Sequence, residues 1–218
     1  MAEPYILHGA VRSSAAYRVR IALHLKGIAF REIFLDTAAG EHRAPDYLAI
    51  NPQGLVPTLI APDGTIVTQS LAILEYLEET VPAVPLLPKS SADRARVRSL
   101  AQIVACDVHP VNNMRIRNHI RELQPDDPDA VLKWTEKWSR AGFVALEARL
   151  TGDPRTGRFC HGDNSTIADL CLVPHVFNAR GLGHDISAFP VSVGIADHCN
   201  TLGAFIAAHP DRIAPRVG

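Results

Sequence analysis

The spacing of apolar and polar residues changes repeatedly along the first 80 positions, which predicts alternating strands and helices. Short apolar or mixed runs bounded by turn residues predict four strands, at "PYILH", "IAFREIFL", "VPTLI" and "TIVT". Residues 14–26 and the stretch "SLAILEYLEETV" have apolar residues at helical spacing, and "APDYLAIN" predicts a short helix or turn. The order β-α-β-(α)-β-β-α is typical of an α/β unit with helices on a small mixed sheet.

The pattern is helical throughout after Ala92. Long helices are predicted around 93–111, with a local kink at Pro110, and over 129–150. The stretch "TIADLCLVPHVFNA" predicts a buried helix that opens with a capping box of Thr166 and Asp169, and a shorter helix is expected near 196–208. The prolines and serines of "VPAVPLLPKSS" predict a linker. We therefore expect an α/β domain over 1–83, a linker over 84–92 and an all-helical domain over 93–218.

Composition limits the functional classes. The chain has 218 residues, 47% of them hydrophobic and 21% charged, with a formal net charge of -1. These values are typical of a globular protein and give no general attraction to nucleic acid or to an anionic membrane. No apolar run approaches the roughly 20 residues that span a bilayer, and the first residues lack the basic region of a signal peptide. A cytoplasmic location is expected.

Cysteine and histidine spacing predicts neither a disulfide framework nor a metal site. None of the four cysteines forms a CxxC pair, so we expect buried free thiols rather than disulfides. The ten histidines contain no HxH or HxxxH pair and no Cys/His cluster with zinc-finger spacing.

Three short stretches carry candidate chemistry, and each has two interpretations. Ser13 and Ser14 lie where the first helix begins, so Ser14 is either an ordinary N-cap or part of a site that stabilises the thiolate of a bound cofactor. Pro57 is either a simple loop proline or a cis proline that frees the backbone of Val56 for an extended, peptide-like ligand. Ser70, after Gln69, is either an N-cap or an anion site suited to a carboxylate.

Five stretches, in order along the chain, resemble the zeta-class glutathione transferases: "SSAAYRVRIAL", "NPQGLVPTL", "QSLAILEYLEE", "CDVHPVNNMRI" and "TIADLCLVPHV". That family includes maleylacetoacetate isomerase and maleylpyruvate isomerase. The resemblance implies a thioredoxin-like N-terminal domain with an all-helical C-terminal domain, the glutathione transferase fold. It also implies bound glutathione, a small dicarboxylate substrate and a homodimer.

The resemblance also implies site residues. Ser13 resembles the catalytic serine that donates to the glutathione thiolate, and Ser14 completes its turn. The remaining glutathione contacts implied are Val56 and the expected cis Pro57 at the cysteinyl unit, Gln69 and Ser70 at the γ-glutamyl carboxylate, and Gln53, His109 and Asn113. Arg12, Arg115 and Arg180 are the candidate cations for substrate carboxylates and for charge that develops during the reaction. Arg12 also has the simpler interpretation of a solvated loop charge. Arg18 and Arg20 are expected to form structural ion pairs, with an interdomain pairing as one option.

The chain departs from the family pattern at two places. Ala15 stands where relatives often have a cysteine, which argues against thiol transfer but not against isomerisation, since the attacking thiol belongs to glutathione. In "NARGL", Arg180 precedes Gly181 where relatives can carry arginine at the second position. On a helix, that difference of one residue is about 100° of rotation.

The resemblance implies a glutathione-dependent isomerase that converts maleylacetoacetate to fumarylacetoacetate in aromatic amino-acid catabolism. Maleylpyruvate is the alternative substrate. A second enzymatic class, a transferase that conjugates or dehalogenates small α-halo acids, would use the same thiolate. A non-enzymatic interaction module is the third interpretation.

Overall fold

The computed structural model describes residues 3–213, which divide into two compact units. One unit contains the chain up to Leu86 together with the segment that begins at Thr201, and the other is Leu87–Asn200. The sequence-based division instead placed the segment after 200 with the helical domain. The difference arises because this last segment packs against the first helix, as described below.

The first unit is built on a four-stranded mixed sheet with the order β2-β1-β3-β4. The strands are β1 (Tyr5–Gly9), β2 (Phe30–Phe34), β3 (Thr58–Ile60) and β4 (Ile66–Thr68). β1 pairs in parallel with β2 and antiparallel with β3, and β3 pairs antiparallel with β4. All four predicted strands are present, as expected from their short apolar runs and from the "APDG" turn between the last two.

The helices that pack on this sheet are α1 (Ser14–Leu25), α2 (Pro45–Ile50) and α3 (Ser70–Thr80), and a single 3₁₀ turn (Glu41–Arg43) precedes α2. The core between sheet and helices is apolar, with Leu7, Leu59 and Leu74 fully buried. α1 ends before Gly27, whose φ of +64° belongs to the left-handed region that glycine adopts without strain. The predicted element order of this half is confirmed.

The segment from Thr201 adds α10 (Gly203–Ala208) and α11 (Pro210–Ile213) to the same unit. Phe205 and Ala208 are fully buried, and α10 packs against α1. The ring of His209 meets that of Tyr17 on α1 edge-on, with centroids 5.9 Å apart. One side of the first helix is therefore covered by residues from the far end of the chain.

The second unit is helical throughout its regular structure. Its helices are α4 (Ser91–Gln102), α5 (His109–Asn112), α6 (Met114–Leu123), α7 (Ala130–Leu150), α8 (Ile167–Gly181) and α9 (Pro190–Cys199). A π-helical segment (Ile103–Val108) connects α4 to α5. Pro110 lies in the first turn of α5, directly after the π-helical segment, so the predicted kink takes the form of a π segment followed by a new helix.

α8 is the buried central helix that the sequence predicts. Its capping box is present: the Asp169 carboxylate accepts from the backbone N–H of Thr166 at 2.7 Å. The single helix expected over 196–208 is wrong, because the chain breaks after Cys199 and forms α9 and α10, which belong to different units. All four cysteines are free thiols; Cys160, Cys171 and Cys199 are buried, whereas Cys106 is exposed, contrary to expectation.

Within residues 3–213, no helix combines the length and the apolar character needed to cross a bilayer.

Candidate active site

Three loops of the first unit leave the sheet at the same end. β1 and β3 pair His8 with Thr58, and β3 and β4 pair Thr58 with Thr68. Because these residues are in register, the turn after β1, the turn before β3 and the turn after β4 are neighbours. Those turns contain Ser13, the Val56–Pro57 pair and the Gln69–Ser70 pair. Gln53 joins them through its hydrogen bond to Gln69, so the topology brings six predicted site residues together.

Ser13, and not Ser14, is the N-cap of α1. Its Oγ accepts a hydrogen bond from the backbone N–H of Ala16 at 3.3 Å, and its side chain is half-buried. No acceptor for the Ser13 hydroxyl proton occurs among residues 3–213. The first turn of α1 contains no acidic residue, so the positive end of the helix dipole is not neutralised there. The serine can therefore cap the helix and still donate its proton to an anion.

Ser14 is buried at the first position of α1, next to the cap. Arg12 is exposed on the other side of Ser13. Its guanidinium lies 3.6 Å from the carboxylate of Asp211, and both side chains are 66% exposed. An ion pair this exposed contributes little to stability, and the guanidinium of Arg12 is accessible to a ligand carboxylate from the solvent.

The bond between Val56 and Pro57 is cis, as expected. No backbone partner from residues 3–213 occupies the N–H or the carbonyl of Val56. An extended peptide could therefore pair with this residue as a strand would.

The turn that carries Val56 is held by two residues that sequence reasoning did not single out. The side-chain amide of Asn51 donates to the carbonyl of Leu55 at 2.7 Å and to Oγ1 of Thr58 at 3.1 Å. The hydroxyl of Tyr47 donates to the same Leu55 carbonyl at 2.6 Å. Asn51 and Tyr47 are both buried, so these bonds are shielded from water and fix the backbone on either side of the cis bond. The only available signal was an asparagine in "NPQG", a composition that indicates no more than a turn.

Gln69, and not Ser70, is the N-cap of α3. Its φ of 68° makes it the one non-glycine residue between 3 and 213 in the left-handed region, and its side chain donates to Oε1 of Gln53 at 2.7 Å. Such a conformation is held by its surroundings and is frequent at ligand sites. Ser70 follows as the first residue of α3, whose first turn also lacks an acidic residue. Both serine-bearing helix starts are thus suited to anions.

Arg18 connects the two helix starts. It is buried on α1 and donates from Nη1 to Oγ of Ser70 at 3.1 Å. The ion pair expected for Arg18 is wrong, because its side chain bonds to a hydroxyl group, and that group lies in the same unit. Arg20 forms the structural ion pair expected of it, with Glu32, and both residues belong to the first unit, so the pair is not interdomain.

The other predicted site residues lie in the second unit. His109 begins α5, and Asn113 caps α6 by accepting from the N–H of Ile116 at 3.3 Å. Arg115 is exposed on the first turn of α6. Arg180 is also exposed, but its guanidinium forms a two-pronged contact with Asp197, at 2.7 and 3.0 Å. The structure therefore gives Arg180 a structural partner between α8 and α9 that the sequence did not reveal.

Comparison with known proteins adds a family and relatives. The family model described as "Glutathione S-transferase, N-terminal domain" matches residues 12–80. A maleylacetoacetate isomerase of Rhizobium meliloti (strain 1021) is 49% identical over 215 residues, covering 99% of this chain and 100% of the relative. A maleylpyruvate isomerase of Ralstonia sp. is 41% identical over 204 residues, covering 94% and 96% of the two chains.

Two solved structures are similar over nearly the whole chain. A maleylacetoacetate isomerase from Methylobacterium extorquens AM1 with bound malonate and GSH has a TM-score of 0.91 at 48% identity, covering 95% of this chain and 97% of its own. The holo structure of a maleylpyruvate isomerase, described as a bacterial zeta-class glutathione S-transferase, has a TM-score of 0.92 at 40% identity with the same coverage.

Proposed function

Because the chain belongs to the zeta class of the glutathione transferases, we propose that it is a glutathione-dependent cis–trans isomerase that converts maleylacetoacetate to fumarylacetoacetate. The observation that carries this proposal is the Ser13 hydroxyl, which caps α1 through its oxygen and keeps its proton for an anion. Maleylpyruvate is the alternative substrate, supported by the 41% identical relative.

The residues of the first unit fit glutathione as a thiol-bearing peptide with a free carboxylate at its γ-glutamyl end. The free N–H and carbonyl of Val56 suit a peptide backbone, and the start of α3 at Ser70 suits a carboxylate. The Gln69–Gln53 bond holds two amide groups beside that helix start. These are the glutathione contacts that we propose.

Bound glutathione supplies a thiolate that adds reversibly to the cis double bond, which lets the resulting single bond rotate. Ser13 donates to the sulfur, and the N-terminus of α1 adds a positive potential, so both lower the pKa of the thiol. Arg12 and Arg115 bind the substrate carboxylates and stabilise negative charge on the substrate oxygen as the bond forms. Arg180 is the weaker candidate, since Asp197 already holds its guanidinium.

The direct test follows the ultraviolet absorbance of maleylacetoacetate and of maleylpyruvate separately. We expect isomerisation of one of them with glutathione and none with S-methylglutathione, which keeps the peptide contacts but has no ionisable thiol. Isomerisation without glutathione would contradict the mechanism. Retention on immobilised glutathione without isomerisation of either substrate would favour a conjugating transferase or a binding module.

A homodimer and a cytoplasmic location complete the proposal. The family resemblance supports the dimer, and the sequence composition supports the location. Light scattering at several protein concentrations tests the dimer.

A further inference from the structure

Arg20 lies on α1 with its side chain fully buried, and its ion pair does not account for its presence. The Nε atom lies 3.3 Å from Oε1 of Glu32 on β2, whose side chain is 8% exposed. Neither atom makes a hydrogen bond with any partner among residues 3–213, so the pair is close but poorly aligned. Burying two charges in such a geometry is costly, and an apolar pair of similar volume would often serve stability equally well.

The aligned hydrogen bonds of Arg20 go instead to backbone carbonyls. Nη2 donates to the carbonyls of Ala10 and Val11, at 3.0 and 2.9 Å. Both carbonyls belong to the short loop that connects β1 to the N-cap of α1. The Ala10 carbonyl also accepts the backbone N–H of Ser13, at 3.1 Å. One carbonyl oxygen thus joins the buried guanidinium to the backbone of the serine.

The third carbonyl comes from the returning segment of the chain. Nη1 of Arg20 donates to the Ala208 carbonyl at 3.2 Å, at the end of α10. Terminal helix carbonyls have no intrahelical partner, so a buried cation satisfies one of them favourably. Arg20 therefore ties the serine loop to a packed helix as well as to the sheet.

Gly9 makes room for this arrangement. A Cβ at Gly9 would lie 2.6 Å from Oε1 of Glu32, closer than real side chains approach. The carboxyl group of Glu32 can thus sit beside β1 and face Arg20 from the sheet side.

We propose that Arg20 is a positioning residue for Ser13: its guanidinium fixes the Ala10–Val11 carbonyls and thereby the backbone that aims the Ser13 hydroxyl at the glutathione sulfur. The inference rests on the proposed role of Ser13. A planar guanidinium can donate to three carbonyls at once, whereas the ammonium group of a lysine cannot reproduce that geometry. Arg20→Lys should therefore keep the charge and lose the positioning.

The first measurement is amide hydrogen exchange in the ligand-free protein, which does not depend on any activity. In Arg20→Lys, the Ser13 amide should exchange at least about tenfold faster, because its acceptor, the Ala10 carbonyl, is no longer held by the guanidinium. The exchange rate of the Leu59 amide in β3 should not change. Glu32→Gln is the matched control. It removes the ion pair but leaves the guanidinium on its carbonyls, so its Ser13 amide should exchange within about twofold of the wild type.

The second measurement is the pKa of the glutathione thiol in the complex, followed by thiolate absorbance. Arg20→Lys should raise that pKa by about half a unit or more and lower kcat, with KM for glutathione within about twofold, because only the sulfur contact is displaced. Arg20→Met combined with Glu32→Gln should behave similarly, because it also removes the donors to the loop carbonyls, and it leaves no unpaired charge buried beside α1.

The outcomes separate this inference from the proposed function. Uniformly faster exchange at Ser13 and Leu59, or no change at Ser13, would overturn the positioning role of Arg20. If Ser13→Ala itself leaves the thiol pKa unchanged, the proposed role of Ser13 fails, whereas the exchange data still decide whether Arg20 holds the loop.

Discussion

Replacing Ser13 with alanine removes two interactions whose sizes can be calculated separately. The first is the N-cap of α1, where Oγ accepts from Ala16 at 3.3 Å. Loss of such a cap costs about 1 kcal/mol of stability. The second is the proposed hydrogen bond to the thiolate of glutathione. A hydrogen bond to a charged group contributes about 1.5–3 kcal/mol.

The second loss appears as a pKa shift. At about 1.4 kcal/mol per pKa unit, Ser13→Ala should raise the pKa of the bound thiol by about one to two units. At a pH below the pKa of the thiol in the wild-type complex, the thiolate fraction and therefore kcat should fall by about 10- to 100-fold. Affinity for glutathione should change little, because Val56, Gln69 and Ser70 keep their peptide and carboxylate contacts. Thiolate absorbance of the complex as a function of pH measures the shift, and calorimetric titration measures the affinity.

Ser90→Ala is the matched control. Ser90 caps α4 in the other unit by accepting from the N–H of Asp93 at 3.1 Å, so its loss should lower stability by a similar amount, about 1 kcal/mol. It should leave the thiol pKa and kcat unchanged. The reasoning is refuted if both variants move the pKa equally, or if Ser13→Ala lowers the urea midpoint without moving the pKa.

Three further predictions concern stability and binding. Burial raises the pKa of Glu32 from 4.5 to about 7, so the contribution of Glu32 to stability should fall as the pH rises from about 5 to 8, by at most about 3 kcal/mol. Burial lowers the pKa of histidines such as His8 and His184, which acts in the opposite direction, so the test is the stability of the wild type relative to Glu32→Gln. Urea unfolding at both pH values should show that this difference falls as the pH rises, and an unchanged difference would contradict the prediction. Gly142→Ala should destabilise the protein by about 1–2 kcal/mol, because the new Cβ on α7 would overlap Cγ2 of Val108. Gly194→Ala on α9 is the control: its Cβ would have no atom within 4 Å, so it should stabilise the protein by up to about 1 kcal/mol. Melting temperatures that shift in the same direction in both variants would refute the packing argument. Arg18→Met should weaken glutathione binding about tenfold, because Ser70 loses its hydrogen bond from Arg18, but it should leave the pKa of the bound thiol unchanged. Calorimetry measures the affinity and thiolate absorbance the pKa; a shifted pKa with unchanged affinity would contradict the prediction.

The fold of the first unit was predictable because its elements are encoded locally. Strand runs, the "APDG" turn and helical spacing each act over a few residues, and all four strands and the flanking helices appear where these signals lie. The serine at the start of α1 was likewise visible, although its exact cap position differed by one residue. Helix boundaries depend on backbone dihedral angles that the sequence alone does not fix.

The partners of the buried arginines were not predictable in the same way. Arg18 bonds to a residue 52 positions away, and Arg20 to one 188 positions away. A charged residue among aliphatic ones on a helix reveals only that it has some partner, since the partner is chosen by tertiary packing. The pairing of Arg180 with Asp197 was hidden for the same reason, because it joins two helices whose relative placement no periodicity describes.

The return of the chain to α1 has a consequence for biosynthesis. The Ala208 carbonyl that Arg20 holds is made 188 residues after Arg20 itself. At about 5–20 residues per second, the ribosome takes roughly 10–40 s to produce it, and during that time the buried face of α1 lacks its covering helix. The unit that contains α1 is therefore completed after the helical unit, which is encoded between its two parts. Residues 87–200 are synthesised in full before Arg20 can bind the Ala208 carbonyl.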